Sequence, residues 1–298
     1  METIFEGSAV ALVLPMYDDG SIDYDGFRKQ VQRMIDGGVQ ALLVNGTTGE
    51  TATITIEEEF ELTRMTMDIA KGTGVKVIAG AGSNDTMTAL KKAEFAKSVG
   101  ADAILVVTPY YNKTSQRGLI EHYTYIADRV DLPMIIYNVP GRTGMNIAVD
   151  TVVELAKHKN IKAMKDATDN IAYAMDVFTQ TRDLDFDMYS GCDDNILPFI
   201  AAGGKGVISV LSNVYPRETE MFAQAALKGD MKVAQQMAYD LNDLSKYLFI
   251  DVNPIMPKVA LKRMGVCSEM VRRPLIPTTD ANKKLLFNAM DAFEKKGY

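Results

Sequence analysis

A short apolar run, a Gly-rich or polar turn and an amphipathic helix follow one another repeatedly along the chain. The apolar runs are Ala9–Leu14, Ala41–Val44, Val75–Ala79, Ala103–Val107, Met134–Tyr137, Ile161–Lys165, Asp187–Tyr189 and Gly206–Val210. They are dominated by Val, Ile, Leu and Ala and do not alternate cleanly with polar residues, as expected of parallel strands covered on both faces. The segments between them have helical period. Phe27, Val31, Met34 and Ile35 make one apolar stripe, Arg28, Lys29, Gln32 and Arg33 lie off it, and Gly37-Gly38 ends that helix. Thr55 ahead of Glu57, Glu58 and Glu59 predicts a capped helix start, with acidic groups where the helix dipole favours them. Asn84 or Asp85 can open the following helix in the same way.

The runs start about 20 to 35 residues apart, the length of a strand–helix unit. Eight such units without a long interruption predict an α/β chain folded as a (β/α)₈ TIM barrel. An open dinucleotide-binding sheet would place a three-glycine turn after its first strand. Gly80-Ala81-Gly82-Ser83-Asn84-Asp85 has only the first two glycines and follows the third run. Gly203-Gly204-Lys205-Gly206 lacks the spacing and the hydroxyl of a phosphate-binding P-loop. Beyond the eighth run, Pro216–Lys228, Asp230–Phe249, Pro254–Met264 and Thr279–Lys296 all have helical pattern. One of these completes the barrel, which sets the expected division at a catalytic barrel of residues 1–228 and a C-terminal helical extension of residues 229–298.

Composition narrows the possible functions. The 298 residues include 39 acidic and 32 basic side chains, a formal charge of −7, which argues against a broad nucleic-acid or anionic-membrane surface. Two cysteines, Cys192 and Cys267, cannot build a disulfide framework, and two histidines, His122 and His158, cannot build a His-rich metal site. No apolar stretch reaches the roughly 18 residues of a membrane helix, and the first apolar run has no basic segment ahead of it. The expected setting is the cytoplasm, with both thiols reduced. His122 and His158 fall in helical stretches beside charged residues and are expected at the surface. The 18 methionines are expected to fill the core.

Active sites of this fold lie on the loops that leave the C-terminal ends of the strands. The second run leads into Asn45-Gly46-Thr47-Thr48-Gly49-Glu50-Thr51, which can offer amides and two hydroxyls to an anion or serve only as a capped tight turn. The fourth ends in Thr108-Pro109-Tyr110-Tyr111-Asn112-Lys113, whose paired phenols suit either a site or a packed rim. The fifth gives Tyr137-Asn138-Val139-Pro140-Gly141-Arg142-Thr143-Gly144. Here Tyr137 ends the strand, and the fork of Arg142 suits a carboxylate as well as solvent. On the sixth, Ile161, Ala163 and Lys165 share one face; if that face is interior, Lys165 stands at the barrel top among apolar neighbours. Burial disfavours the ammonium, and a neutral amine attacks a ketone to form a Schiff base. Tyr137 one strand away could shuttle the protons that dehydration of the carbinolamine needs. Asp193-Asp194 could hold a divalent cation or begin a capped loop, and Cys192, with no histidine nearby in sequence, is read as a passive thiol.

In these motifs the chain resembles the class I pyruvate aldolase superfamily and, within it, the dihydrodipicolinate synthase family. The resemblance runs from Gly7 into the C-terminal helices. It rests on Gly46-Thr47-Thr48-Gly49-Glu50, Pro109-Tyr110-Tyr111-Asn112, Tyr137 to Gly144, Lys165 after Ala-Met, and Gly206-Val207-Ile208-Ser209-Val210. It implies that Lys165 forms an imine with pyruvate and that Tyr137 donates and accepts protons in a relay with Thr47 and Tyr111. The second tyrosine would come across a tight dimer interface. Thr48 is implied to hold the pyruvate carboxylate, Ile208 to contact pyruvate, Gly191 to belong with the substrate-binding residues, and Arg142 to hold the carboxylate of L-aspartate 4-semialdehyde. No metal or organic cofactor is implied. The implied assembly is a homotetramer, a dimer of dimers, or a dimer.

Some positions depart from the family pattern. Asp166 stands where Glu is frequent, and Asp169 replaces a small residue. Members inhibited by L-lysine carry histidines at the positions of Ile56 and Glu59 and a glutamate at that of Thr88, whereas Asn84 and Tyr110 are kept. Weak inhibition by L-lysine, or none, is therefore expected. Two other readings stand beside this one: a sibling pyruvate lyase acting on N-acetylneuraminate or a 2-keto-3-deoxy sugar acid, and a non-catalytic barrel that binds a keto acid. Arg142 speaks against the first, because the sugar-acid lyases usually lack it. The joint presence of Lys165, Tyr137, Thr47 and Tyr111 speaks against the second.

Overall fold

The computed structural model describes residues 3–298. Its first half runs β1 (Gly7–Ala11), α1 (Tyr24–Asp36), β2 (Ala41–Val44), α2 (Ile56–Ala70), β3 (Lys76–Gly80), α3 (Thr86–Ser98), β4 (Ala103–Val107), α4 (Gln116–Ala127) and β5 (Met134–Asn138). It continues through α5 (Pro140–Thr143), α6 (Val149–Ala156), β6 (Ile161–Asp166), α7 (Ile171–Thr181), β7 (Asp187–Ser190), α8 (Ile196–Ala201) and β8 (Gly206–Ser209). Four helices follow: α9 (Pro216–Leu227), α10 (Met231–Tyr247), α11 (Ile255–Arg263) and α12 (Asp280–Glu294). The strands pair in parallel and in chain order, and β8 closes on β1 to complete the expected barrel. Closure brings two backbones together: a Cβ on Gly206 would lie 1.9 Å from the carbonyl oxygen of Gly7, and φ of Gly206 is +151°. Only glycine fits there.

The strands are apolar on both sides because both sides are covered. Ala9, Ala41, Leu43, Ala103, Leu105, Ile135, Ala163 and Ile208 fill the barrel interior, and Val10, Leu42, Val44 and Val77 face the helices. Local signals act as the sequence predicts. Thr55 and Glu58 form a reciprocal capping box at α2. Asp85, not Asn84, caps α3 by accepting from the amides of Met87 and Thr88. Gly37 ends α1, and Gly38 follows with φ +82°.

The structure departs from the sequence reading most clearly at β1 and at His122. The first strand is Gly7–Ala11, not Ala9–Leu14. Leu12 and Leu14 stay buried after the ladder ends, in the cluster beneath α1 and α2, so the apolar run outlasts the strand. His122 is buried, not on the surface. It lies on the inward stripe of α4 with Leu119, Tyr123 and Ile126, its Nδ1 2.9 Å from the Thr86 hydroxyl. Burial lowers its pKa to about 4.

The C-terminal helices do not stand apart from the barrel. Leu241, Leu244, Met256, Leu286 and Met290 share one apolar cluster with Ile196, Val207 and Leu211. Among the described residues, no helix is long and apolar enough to cross a membrane.

Candidate active site

The site begins with a register. Tyr137 on β5 pairs with Lys165 on β6, so the two side chains emerge together at the C-terminal ends of adjacent strands. Lys165 lies above Ala163 on the inward face and is 5% exposed. Its Nζ is 4.5 Å from the centroid of the Tyr137 ring. Burial brings the ammonium pKa down to about 8, against the opposing pull of Cys192 and Asp193. Burial also pushes the Tyr137 phenol well above its ordinary value, so at neutral pH it holds its proton.

Above these two opens a cavity of about 550 Å³ lined by Thr47, Thr48, Tyr137, Arg142, Lys165 and Gly191. Thr47 and Thr48 sit on a single turn, Thr47–Gly49, which ends at Glu50 in the left-handed region, φ +54°. The Thr48 hydroxyl accepts from Nδ2 of Asn253 at 2.9 Å. Arg142 lies on α5, which Pro140 starts and a left-handed Gly144 stops. Its Nη2 donates to the carbonyl of Asn253 at 3.4 Å. Gly191 leaves room for the nucleophile, since a Cβ there would stand 3.1 Å from Cε of Lys165 and 2.8 Å from Cβ of Ala167.

Two expected residues are not part of this lining. Ile208 lies lower in the barrel interior, paired with Ala9, and Val210, just past the end of β8, lines the cavity instead. Tyr111 is 93% exposed on its own chain, in a loop where it and Lys113 both have positive φ.

Other residues join the site, some in roles that the sequence did not assign. Asp193 is buried beside Lys165, and its Oδ2 accepts from the amides of Val210 and Leu211 at 3.0 and 2.9 Å, tying the end of β7 to the end of β8. Asn242, Ser245, Lys246 and Phe249, on or just past α10, line the cavity from above. Their spacing is that of one helix face, a legible signal, but nothing in the sequence aims that face at the barrel mouth. Asp169, Cys192 and Asp194 place potential metal-ligand atoms within 4.8 Å of one another. Burial holds the Cys192 thiol up at about 12, so it keeps its proton and is a poor ligand and a poor nucleophile. Asp166, next to the nucleophile, has its carboxyl pushed up to about 6 by burial and accepts from Thr168 outside the cavity lining.

The pattern of the dihydrodipicolinate synthetase family matches residues 4–292. The chain belongs to this family. It is 43% identical over 291 residues to the 4-hydroxy-tetrahydrodipicolinate synthase of Exiguobacterium sibiricum, covering 98% of this chain and 99% of the relative. Among solved structures it is similar to dihydrodipicolinate synthase from Aquifex aeolicus, with a TM-score of 0.94 and 42% identity over 97% of this chain and 98% of the other. It is similar also to the Acinetobacter baumannii enzyme complexed with pyruvate, with a TM-score of 0.95 and 36% identity over 97% and 99% of the two chains.

Proposed function

We propose that this chain condenses pyruvate with L-aspartate 4-semialdehyde to give 4-hydroxy-tetrahydrodipicolinate, the first committed step toward diaminopimelate and lysine, and that it does so in the cytoplasm. The observation that carries the mechanism is the buried Lys165 ammonium, its pKa lowered to about 8, against the protonated Tyr137 phenol at the floor of the cavity. The neutral amine adds to the keto carbon of pyruvate. Tyr137 protonates the departing hydroxyl, water leaves and the imine forms. Loss of a methyl proton gives the enamine, whose carbon attacks the aldehyde of the second substrate. The amine of that substrate then adds to the imine carbon and expels Lys165, closing the ring and restoring the free amine. The protonated imine is itself the electron sink, so no metal or organic cofactor enters the scheme.

Thr48 holds the pyruvate carboxylate and Arg142 that of the semialdehyde, as a bidentate fork suits. Gly191 gives the imine room. Ile208 acts from below as packing for the pyruvate floor. Thr47 passes protons between Tyr137 and Tyr111. Because Tyr111 projects from its own chain, the relay takes it from a second copy, in a dimer or a tetramer built as a dimer of dimers. The barrel, residues 1–228, supplies the reacting groups, and the extension, residues 229–298, supplies the upper wall.

Initial rates with pyruvate and L-aspartate 4-semialdehyde, beside cleavage of N-acetylneuraminate, test this reading. Turnover of the semialdehyde that falls in Arg142→Ala through a raised KM for that substrate supports it. Faster cleavage of the sugar acid would contradict it.

A further inference from the structure

Nothing in the reaction scheme explains a fully buried lysine in the C-terminal helices. Lys258 on α11 is 0% exposed, and its ammonium contacts Oε1 of Glu50, which is almost as deeply buried. Glu50 directly follows the Thr47–Gly49 turn and holds a left-handed conformation that a non-glycine residue rarely adopts. Its other oxygen accepts from the amide of Arg272 at 2.8 Å, and the Lys258 ammonium also donates to the carbonyl of Met270. The far side of the same turn is held by Asn253, just ahead of α11, whose Nδ2 donates to the Thr48 hydroxyl. The Asn253 carbonyl accepts from Arg142. One segment of the extension therefore holds the turn from below through Glu50 and from the side through Thr48, and touches the arginine as well.

This pattern has a chemical consequence. A hydroxyl has one proton. With the Thr48 oxygen accepting from Asn253, that proton is left to be donated into the cavity. A buried ion pair is a costly way to gain stability, because desolvation offsets much of the attraction. Its position, at the base of the carboxylate-binding turn, gives it a geometric role.

We propose that Lys258 and Asn253 are positioning residues for carboxylate binding: Lys258 fixes the Thr47–Thr48 turn through Glu50, and Asn253 orients the Thr48 hydroxyl to donate. This rests on the reading of Thr48 as the group that holds pyruvate.

The test is the pyruvate dependence of the borohydride-trapped adduct, alongside KM and kcat, in wild type, Asn253→Asp, Lys258→Arg and the double variant Glu50→Gln/Lys258→Met. Asn253→Asp is isosteric but turns the Thr48 proton toward its own carboxylate. It should raise half-saturating pyruvate about tenfold or more with trapping at saturation preserved, a loss of carboxylate binding more than of chemistry. The double variant leaves no lone buried charge, and it should shift in the same direction while its thermal unfolding stays near wild type. Lys258→Arg keeps the pair and should stay close to wild type in half-saturation. Should the double variant not fold, Asn253→Asp decides alone. Half-saturation unchanged in Asn253→Asp, or in a folded double variant, overturns the proposal and leaves these residues a purely structural role. Wild type that traps no pyruvate even at saturation instead overturns the functional reading, and this inference with it.

Discussion

The Nζ of Lys165 lies 4.5 Å from the centroid of the Tyr137 ring because the two residues are register partners on neighbouring strands. The amine is buried, desolvation outweighs the opposing pull of Cys192 and Asp193, and its pKa falls to about 8. Below that value only a minority is nucleophilic, and the minority shrinks about tenfold for each pH unit. The rate of imine formation, measured by rapid quench with borohydride, should rise with pH up to about 8 and then level. A rate that is flat from pH 6 to 9 would contradict the assigned environment of Lys165.

Tyr111 offers a test that needs no structure of the assembly. It is 93% exposed on its own chain, yet the scheme uses it in the relay. If it serves the neighbouring site, Lys165→Ala and Tyr111→Phe chains, each nearly inactive alone, complement one another after mixing and reassembly. Half the dimers are then mixed and each has one complete site, so activity should return to about a quarter of wild type. No recovery, with mixed dimers present, would place the working tyrosine on the same chain as the lysine.

His122 ties stability to pH. Its folded pKa is about 4, below the ordinary value of 6.5, so as pH falls the unfolded chain takes up this proton first. Its neutral burial thus favours folding above pH 6.5, and that contribution is lost progressively down to about pH 4, by about 3 kcal/mol in all. Denaturant unfolding of wild type and His122→Gln across this range isolates the effect, since the buried carboxyls titrate in both. The gap between the two proteins should change with pH. A constant gap would show that the imidazole is not buried neutral.

The family resemblance sets Ile56, Glu59 and Thr88 where members inhibited by L-lysine carry two histidines and a glutamate. Glu59, where those members carry a histidine, is buried and already accepts from Lys92 at 2.8 Å and from Thr51 at 3.1 Å. Thr88 turns its hydroxyl to Asp85, its own helix cap. Initial rates should be unchanged by L-lysine below the millimolar range, and a sub-millimolar inhibition constant would contradict this.

Most of the barrel is legible in the chain because its determinants are local: Val- and Ala-rich runs at regular intervals, the cap at Thr55, the glycines after α1. Lys165 and Tyr137 can be found because strand parity and barrel topology together aim them. The roles of Asp193 and Asn253 escape because they are long-range. The first shows its role only when β8 brings the amides of Val210 and Leu211 to it, the second only when the extension folds back over the mouth. His122 was legible in principle, since Leu119, His122, Tyr123 and Ile126 mark one helix face. The charged neighbours in sequence lie on the other face and mask it.

Imine chemistry at Lys165 comes down to one covalent bond. Intact mass of the protein, incubated with pyruvate and reduced with borohydride, should show a single adduct of about 72 Da, and Lys165→Ala should show none. Folded wild type with no adduct, or the same adduct in Lys165→Ala, would contradict imine chemistry at Lys165.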